Sequence, residues 1–313
     1  MTQTNQFDVH PVPSQKNLLI FTSTLLLLLI VAAFLYGAYV LAVALVALIS
    51  GAIVEYGVNK IRKLEFDLSW MVTPLVLTLM LPPRVNLWVV AVATVFGVFF
   101  GKSVFGGLGK NIFNPAVVGL LFVTISFPSI ITTAEYIHPS IDPFTGSTAI
   151  SLLNSGADVL QTYSFSDLLF GNVPGAIGET FQIGIILLGL LLIVLKVSDW
   201  RVPLFYLGSV FAFTGISHLL DPSIFPDPVI ALFVGSVMFA AFFVATDPVT
   251  GAYTNKGKMI YGIGLAFFTV LIRHFATFQE GVIFAIILMN AIAPLIDGLF
   301  TKPTPEIKEV VHE

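Results

Sequence analysis

Residues 142–149 read Asp-Pro-Phe-Thr-Gly-Ser-Thr-Ala, so Asp142 is followed by three hydroxyl side chains, Thr145, Ser147 and Thr148, grouped about Gly146. Short polar residues of this kind favour turns, because their side chains bond to nearby backbone groups. By composition alone the run reads as such a turn. A second constellation is Asn111 and Asn114, three residues apart just ahead of an apolar run, where a helix would put both on one face. Asn114 stands before Pro115, the usual order of an N-cap and a first-turn proline, and capping is compatible with holding a ligand. Three acids, Glu55, Asp247 and Asp297, fall at ends of apolar runs. An ionisable group within a membrane span is costly and marks a functional candidate. At the interface the same group reaches water, so a solvated or capping role stays open for each.

Other chemistry is excluded. The stretch Gly97-Val98-Phe99-Phe100-Gly101-Lys102-Ser103 resembles a phosphate-binding loop but is one residue short, and it closes an apolar run instead of following a strand. Nucleotide binding there is not expected. Of His10, His138, His218, His274 and His312, only His218 and His274 fall near helix ends on one side, so a haem held between facing helices is not expected. The chain contains no cysteine, which removes disulfides, thiolate zinc sites, cysteine-ligated iron–sulfur clusters and thiol nucleophiles together.

These residues must be positioned by apolar elements. Of 313 residues, 57% are hydrophobic and only 10% charged, with a mean hydropathy of +0.96. Soluble domains carry about 25% charged residues, so this chain cannot clothe a water-facing surface. Apolar runs lie near 18–35, 38–54, 68–82, 86–101, 115–132, 181–197, 203–219, 229–245, 260–275 and 281–298. Several are shorter than the ~20 residues that cross a bilayer. With the N-terminus in the cytoplasm and ten crossings, twelve of the 14 Lys and Arg residues fall on the cytoplasmic side, leaving only Arg84 and Arg273 outside. Residues 1–17 are polar, and no cleavable signal peptide is expected.

The expectation is an all-α polytopic membrane protein of about ten transmembrane helices in two inverted five-helix repeats. The repeats occupy 18–132 and 181–298, an extracytoplasmic loop fills 133–180, and cytoplasmic tails cover 1–17 and 299–313. The third run of each half stops at proline, Leu81-Pro82-Pro83 and Asp247-Pro248. Either these are broken helices that build a midplane site, or the prolines end ordinary helices at the interface.

Residues 142–148 resemble the flavinylation sequence D-x-x-[ST]-G-A-[ST], with Asp142, Thr145, Gly146 and Thr148 matching and Ser147 in place of alanine. Residues 101–116, with Gly101-Lys102, Phe105-Gly106-Gly107, Gly109, Asn111 and Asn114-Pro115-Ala116, are similar to a run of one family. So are Gly171-Asn172-Val173-Pro174-Gly175, Gly178-Glu179-Thr180, Ala245-Thr246-Asp247-Pro248-Val249 and Pro294-Leu295-Ile296-Asp297. These motifs resemble the D subunits of Rnf ion-pumping ferredoxin:NAD oxidoreductases and the related B subunits of sodium-pumping NADH:quinone reductases. The resemblance implies FMN joined to Thr148 through a phosphoester by an extracytoplasmic flavin transferase. It implies a noncovalent riboflavin beside Asn111 and Asn114, and roles for Glu55 and Asp297 on a cation path. The implied partners are a second flavin-carrying subunit and iron–sulfur subunits in a bacterial inner membrane, with no nucleic acid. The quinone-reductase branch has two glycines where this chain has Gly51-Ala52, and the short polar N-terminus also leans to the Rnf branch, while Gly109-Lys110-Asn111 leans the other way. A passive channel of the urea or ammonium type shares the expected architecture, but would have no use for residues 142–148.

Overall fold

The computed structural model describes residues 12–64, 66–133, 148–155, 157–222, 225–276 and 281–301. Asp142, Thr145, Gly146 and Ser147 lie outside them. The described chain is helical, without a strand among the described residues. Ser14 caps α1 (Gln15–Tyr36) by accepting the Asn17 N–H, and the helix closes at Gly37, whose φ of 89° suits glycine. α2 (Tyr39–Arg62) follows at once. These two helices, together with α11 (Arg201–Leu220), α14 (Asn255–Phe275) and α15 (Gly281–Gly298), are long and apolar enough to cross a membrane.

The remaining apolar runs are shorter. α3 (Ser69–Met80), α4 (Leu87–Val98), α5 (Pro115–Ser126) and α10 (Gln182–Val194) have 12 or 13 residues. At 1.5 Å per residue each rises only about 18–20 Å. α4 is prolonged by a π-helical turn, Phe99–Ser103, and α6 (Pro128–Thr133) follows α5. Between the halves stand three short helices, α7 (Ala149–Asn154), α8 (Val159–Thr162) and α9 (Phe165–Phe170). The run near 229–245 is not one helix: α12 (Pro228–Phe233) stops, residues 234–236 are non-helical, and α13 (Val237–Phe239) resumes into a second π-helical turn, Ala240–Val244.

The two proline-punctuated runs therefore behave differently. α3 ends at Met80 and the chain turns back through Pro82 and Pro83, as expected. In the second half the break comes at 234–236, before the expected position, and Pro248 merely follows a helix already ended. Gly235, at φ 71°, makes that break.

The same neighbours recur in each half. α2 packs on α3 and α4, and α4 on α5; α11 packs on α12 and α14, and α14 on α15. Across the halves α1 meets α10 and α5 meets α15. Every residue from Thr73 to Met80 is buried, as is all of 237–246. A helix apolar on all sides belongs in the middle of a bundle, and these two segments form the centre of the core. The long helices around them turn Phe34, Ile53, Leu219 and Phe275 outward, each more than 60% exposed, as lipid-facing side chains are.

Candidate functional site

Two sites occupy opposite ends of α1. At its starting end, a cleft of about 770 Å³, counting its open mouth, is walled by Phe21 and Phe243 and edged by Ser69, Lys102, Asn111 and Asp247. Asn114 caps α5: its Oδ1 accepts the Ala116 and Val117 N–H groups, and its Nδ2 donates to Asp247 Oδ2 at 3.3 Å. Its backbone N–H donates to Asn290 Oδ1 at 3.0 Å, and Asn290 Nδ2 donates to Thr250 O and to the Tyr261 hydroxyl. Asp247 also accepts Val249 N–H and the Thr250 hydroxyl. This network ties the start of α5 to the second half.

Asn111 does not share a helix face with Asn114, because α5 begins only at Pro115. It sits in the preceding loop, yet it lines the same cleft. Its Nδ2 donates to Phe113 O, and its Oδ1 is buried with no partner among the described residues.

Of the three acids, Asp247 borders the cleft. Glu55 is buried and not solvated: Lys102 Nζ lies 2.6 Å from its Oε1 and 2.7 Å from Ser69 Oγ. The Glu55 Oε2 has no partner among the described residues. Asp297, also buried, accepts the Tyr253 and Thr254 N–H groups at 2.9 Å each and the Thr254 hydroxyl, so it clamps α15 to the start of α14. Beside the cleft, Asp199 binds Lys258 at 2.8 Å and Arg201 at 3.2 Å. Partial burial works against its charge, but the Lys258 hydrogen bond, the Arg201 N–H and the two cations outweigh it and hold its pKa below the usual carboxylate value.

The resemblance to a phosphate-binding loop has a packing explanation. A Cβ at Gly97 would overlap Pro115 O, and one at Gly101 would crowd Pro115 Cα. The two glycines, four apart, let α4 lie against the start of α5, the small-residue spacing of closely packed membrane helices. Lys102 meets Glu55 and Ser69, and Arg62 holds Ser103 O at 2.6 Å.

At the far end of α1 a smaller pocket, about 260 Å³, is lined by Thr148, Pro174, Glu179, Gln182, Phe233 and Gly235. Thr148 is buried and caps α7, its Oγ1 accepting Ser151 N–H at 3.2 Å. α7, α8 and α9 close over Val173, Ile230 and Val234 as a small apolar cluster on the second half. The segment 171–180, expected as part of an outer loop, is almost wholly buried. Ile177 and Gly178 donate to Leu81 O and Leu79 O, satisfying the end of α3, and Tyr36 donates to Val173 O and Thr180 Oγ1. The carbonyls at the break after α12 are likewise met from within the protein. Arg273 donates to Ala231 O and Val234 O, and Gln182 Nε2 to Phe233 O.

Sequence reasoning missed Ser69, Gln182 and Asn290, read Lys102 as a motif residue and topology marker but not as the partner of Glu55, and counted Arg273 only as a topology marker. Asn290 and Arg273 carried a readable signal, a polar group inside an apolar run. Gln182, at the edge of its run, carried none.

Comparison with known proteins places the chain. The model of the NQR2, RnfD, RnfE family matches residues 4–305. The chain is 37% identical over 272 residues to the B subunit of the Na(+)-translocating NADH-quinone reductase of Ectopseudomonas mendocina, covering 83% of this chain and 66% of that protein. It is 35% identical over 285 residues to the D subunit of the proton-translocating ferredoxin:NAD(+) oxidoreductase complex of Clostridium ljungdahlii, covering 86% and 85%. It is also 35% identical to the D subunit of the Na(+)-translocating counterpart from Acetobacterium woodii, covering 88% and 85%. The chain belongs to the NQR2, RnfD, RnfE family.

Proposed function

We propose that this chain is the membrane redox subunit of an ion-pumping electron-transport complex, and that it relays electrons through FMN joined to Thr148 by a phosphoester. The carrying observation is that Thr148, the hydroxyl at the end of the Asp142–Thr148 motif, stands at the edge of a pocket of its own. A flavin there would supply one-electron chemistry; the protein supplies place, burial and electrostatics. Among the described residues Thr148 Oγ1 engages one N–H, so the oxygen keeps capacity for a bond to phosphorus. Pro174, Glu179 and Gln182 would border the attached group.

A second, noncovalent flavin suits the cleft. Phe21 and Phe243, whose rings pack together at 5.9 Å, offer it an aromatic surface, and Asn111 Oδ1, unpartnered among the described residues, offers an acceptor to a ring N–H. The two flavin sites would then lie toward opposite membrane faces, with both chain termini cytoplasmic and Thr148 outside. Asp247 borders the cleft, and Glu55 is bound to Lys102, which edges it; both stand as candidates for a cation route, while Asp297 is occupied as a clamp. Electrons enter and leave through partner subunits, including a second flavin-carrying subunit and iron–sulfur subunits.

Names of both branches occur among the relatives, at similar identity. We assign the ferredoxin:NAD branch on Gly51-Ala52, where only the first glycine is present and its Cα packs against Pro74, with no room for a Cβ. Purifying the complex through a tag on this subunit decides between them. Reduced ferredoxin with NAD should support turnover, whereas turnover only with NADH and quinone would move the chain to the other branch. The flavin itself is tested by co-expressing the chain with a flavin transferase and viewing a denaturing gel under ultraviolet light. A fluorescent band at this subunit is expected; no band, with the transferase active on another substrate, would end the Thr148 reading.

A further inference from the structure

Gln182 opens α10 and is 2% exposed. Its Nε2 donates to Glu179 O at 2.8 Å and to Phe233 O at 2.9 Å. Both partners are carbonyl oxygens, so the orientation of the amide is fixed by its neighbours: exchanging N and O would set oxygen against oxygen twice. The other atom of the amide, Oε1, must therefore be an acceptor, and it is buried with no donor among the described residues. Buried amide oxygens are seldom left so. Gln182 lines the pocket that Thr148 also lines.

A second acceptor group stands on its wall: the Glu179 carboxylate borders it, with its Oε1 accepting Ala176 N–H at 2.9 Å. With an amide oxygen and a carboxylate on its wall, the pocket calls for hydrogen-bond donors and disfavours negative charge. The pocket is small, about 260 Å³ even with its open mouth counted. What enters is a segment: neutral, rich in O–H or N–H, and close to the Thr148 oxygen.

Resting on the Thr148 reading, we propose that Gln182 is a binding residue for the polyol chain of the attached flavin, its Oε1 accepting a hydrogen bond from a ribityl hydroxyl. The ribityl chain is the part of FMN next to the phosphate, carries no charge, and brings hydroxyl donors. Gln182 then does two things with one amide. Its nitrogen ties the break after α12 to the start of α10, and its oxygen orients the chain that leads to the ring.

The test loads the full-length protein by co-expression or incubation with flavin transferase, using FAD and its 2′-, 3′- and 4′-deoxyribityl analogues as donors. Gel fluorescence reports attachment, and fluorescence anisotropy of the folded, detergent-solubilised protein reports how firmly the flavin is held. One deoxy analogue should attach normally and show lowered anisotropy. Gln182→Leu should attach FMN normally, lower its anisotropy, and cause no further loss with that same analogue, the non-additivity of two changes to one contact. An equal loss from Gln182→Leu with every donor would mean a purely structural role and overturn the proposal. So would unchanged anisotropy with all three analogues in the wild type, a result that needs no variant to fold. A gel without fluorescence would instead remove the Thr148 reading and this proposal with it.

Discussion

At Thr148 a single oxygen is asked to do two things. It caps α7 through Ser151 N–H, and in the proposed function it carries a phosphoester. Variants separate the two. Thr148→Val removes cap and acceptor together, and loss of such a cap costs about 1 kcal/mol. Thr148→Asn keeps a good capping side chain and removes the hydroxyl. The expected outcome is a melting temperature near wild type for Thr148→Asn and a lower one for Thr148→Val, with flavin fluorescence absent from both. Ser147→Ala, which restores the usual motif, should keep its fluorescence; loss there with retention in Thr148→Asn would make Ser147 the acceptor. The motif was readable through its likeness to a flavinylation sequence, a contiguous string of residues. Gln182 was not, because its meaning depends on Phe233, 51 positions away, and on which of its two amide atoms is left over.

At the scale of elements, the apolar runs marked where helices form, but they could not locate the break in the eighth. Pro248 announced a stop, whereas the break lies at Gly235, and what sustains it is Arg273 and Gln182 reaching the carbonyls from other helices. A helix interrupted inside the membrane survives only where its freed backbone groups are met by protein. The pairing of Glu55 with Lys102 was equally hidden, since the partners lie 47 positions apart and each reads as an interfacial charge. Both are under 5% exposed. Removing one partner of such a pair strands a buried charge and costs about 3–5 kcal/mol. Glu55→Gln and Lys102→Met should therefore each lower the melting temperature markedly, while the double substitution should lie above the sum of the two. Additive losses would show that the two side chains do not act as a pair.

On the scale of the whole molecule, α1 joins the two sites. Its residue Leu18 lines the cleft, and Tyr36 binds the segment beside the Thr148 pocket. Eighteen residues of helix separate them by about 27 Å, most of a bilayer's hydrocarbon thickness. The proposed sidedness rests on the lysine and arginine distribution, and burial of Lys102 and Arg273 leaves that asymmetry in place: eleven residues (12 − 1) against one (2 − 1). Cysteines introduced at the exposed positions Ser166 and Lys256 of this cysteine-free chain report it. A membrane-impermeant thiol reagent added outside should label position 166 and spare 256; the reverse would invert the topology.

The central claim is that electrons driving the pump pass through the flavin on Thr148. It is tested most directly in the assembled complex carrying Thr148→Asn, which should fold and assemble while lacking this subunit's fluorescent band. Electron transfer from the physiological donor to the acceptor and the accompanying ion uptake into vesicles are then measured side by side with wild type. Both should fall to background, with the partner subunits still able to reduce artificial acceptors. If the complex pumped ions at the wild-type rate without that flavin, electrons would be travelling by another route and the relay through Thr148 would be contradicted.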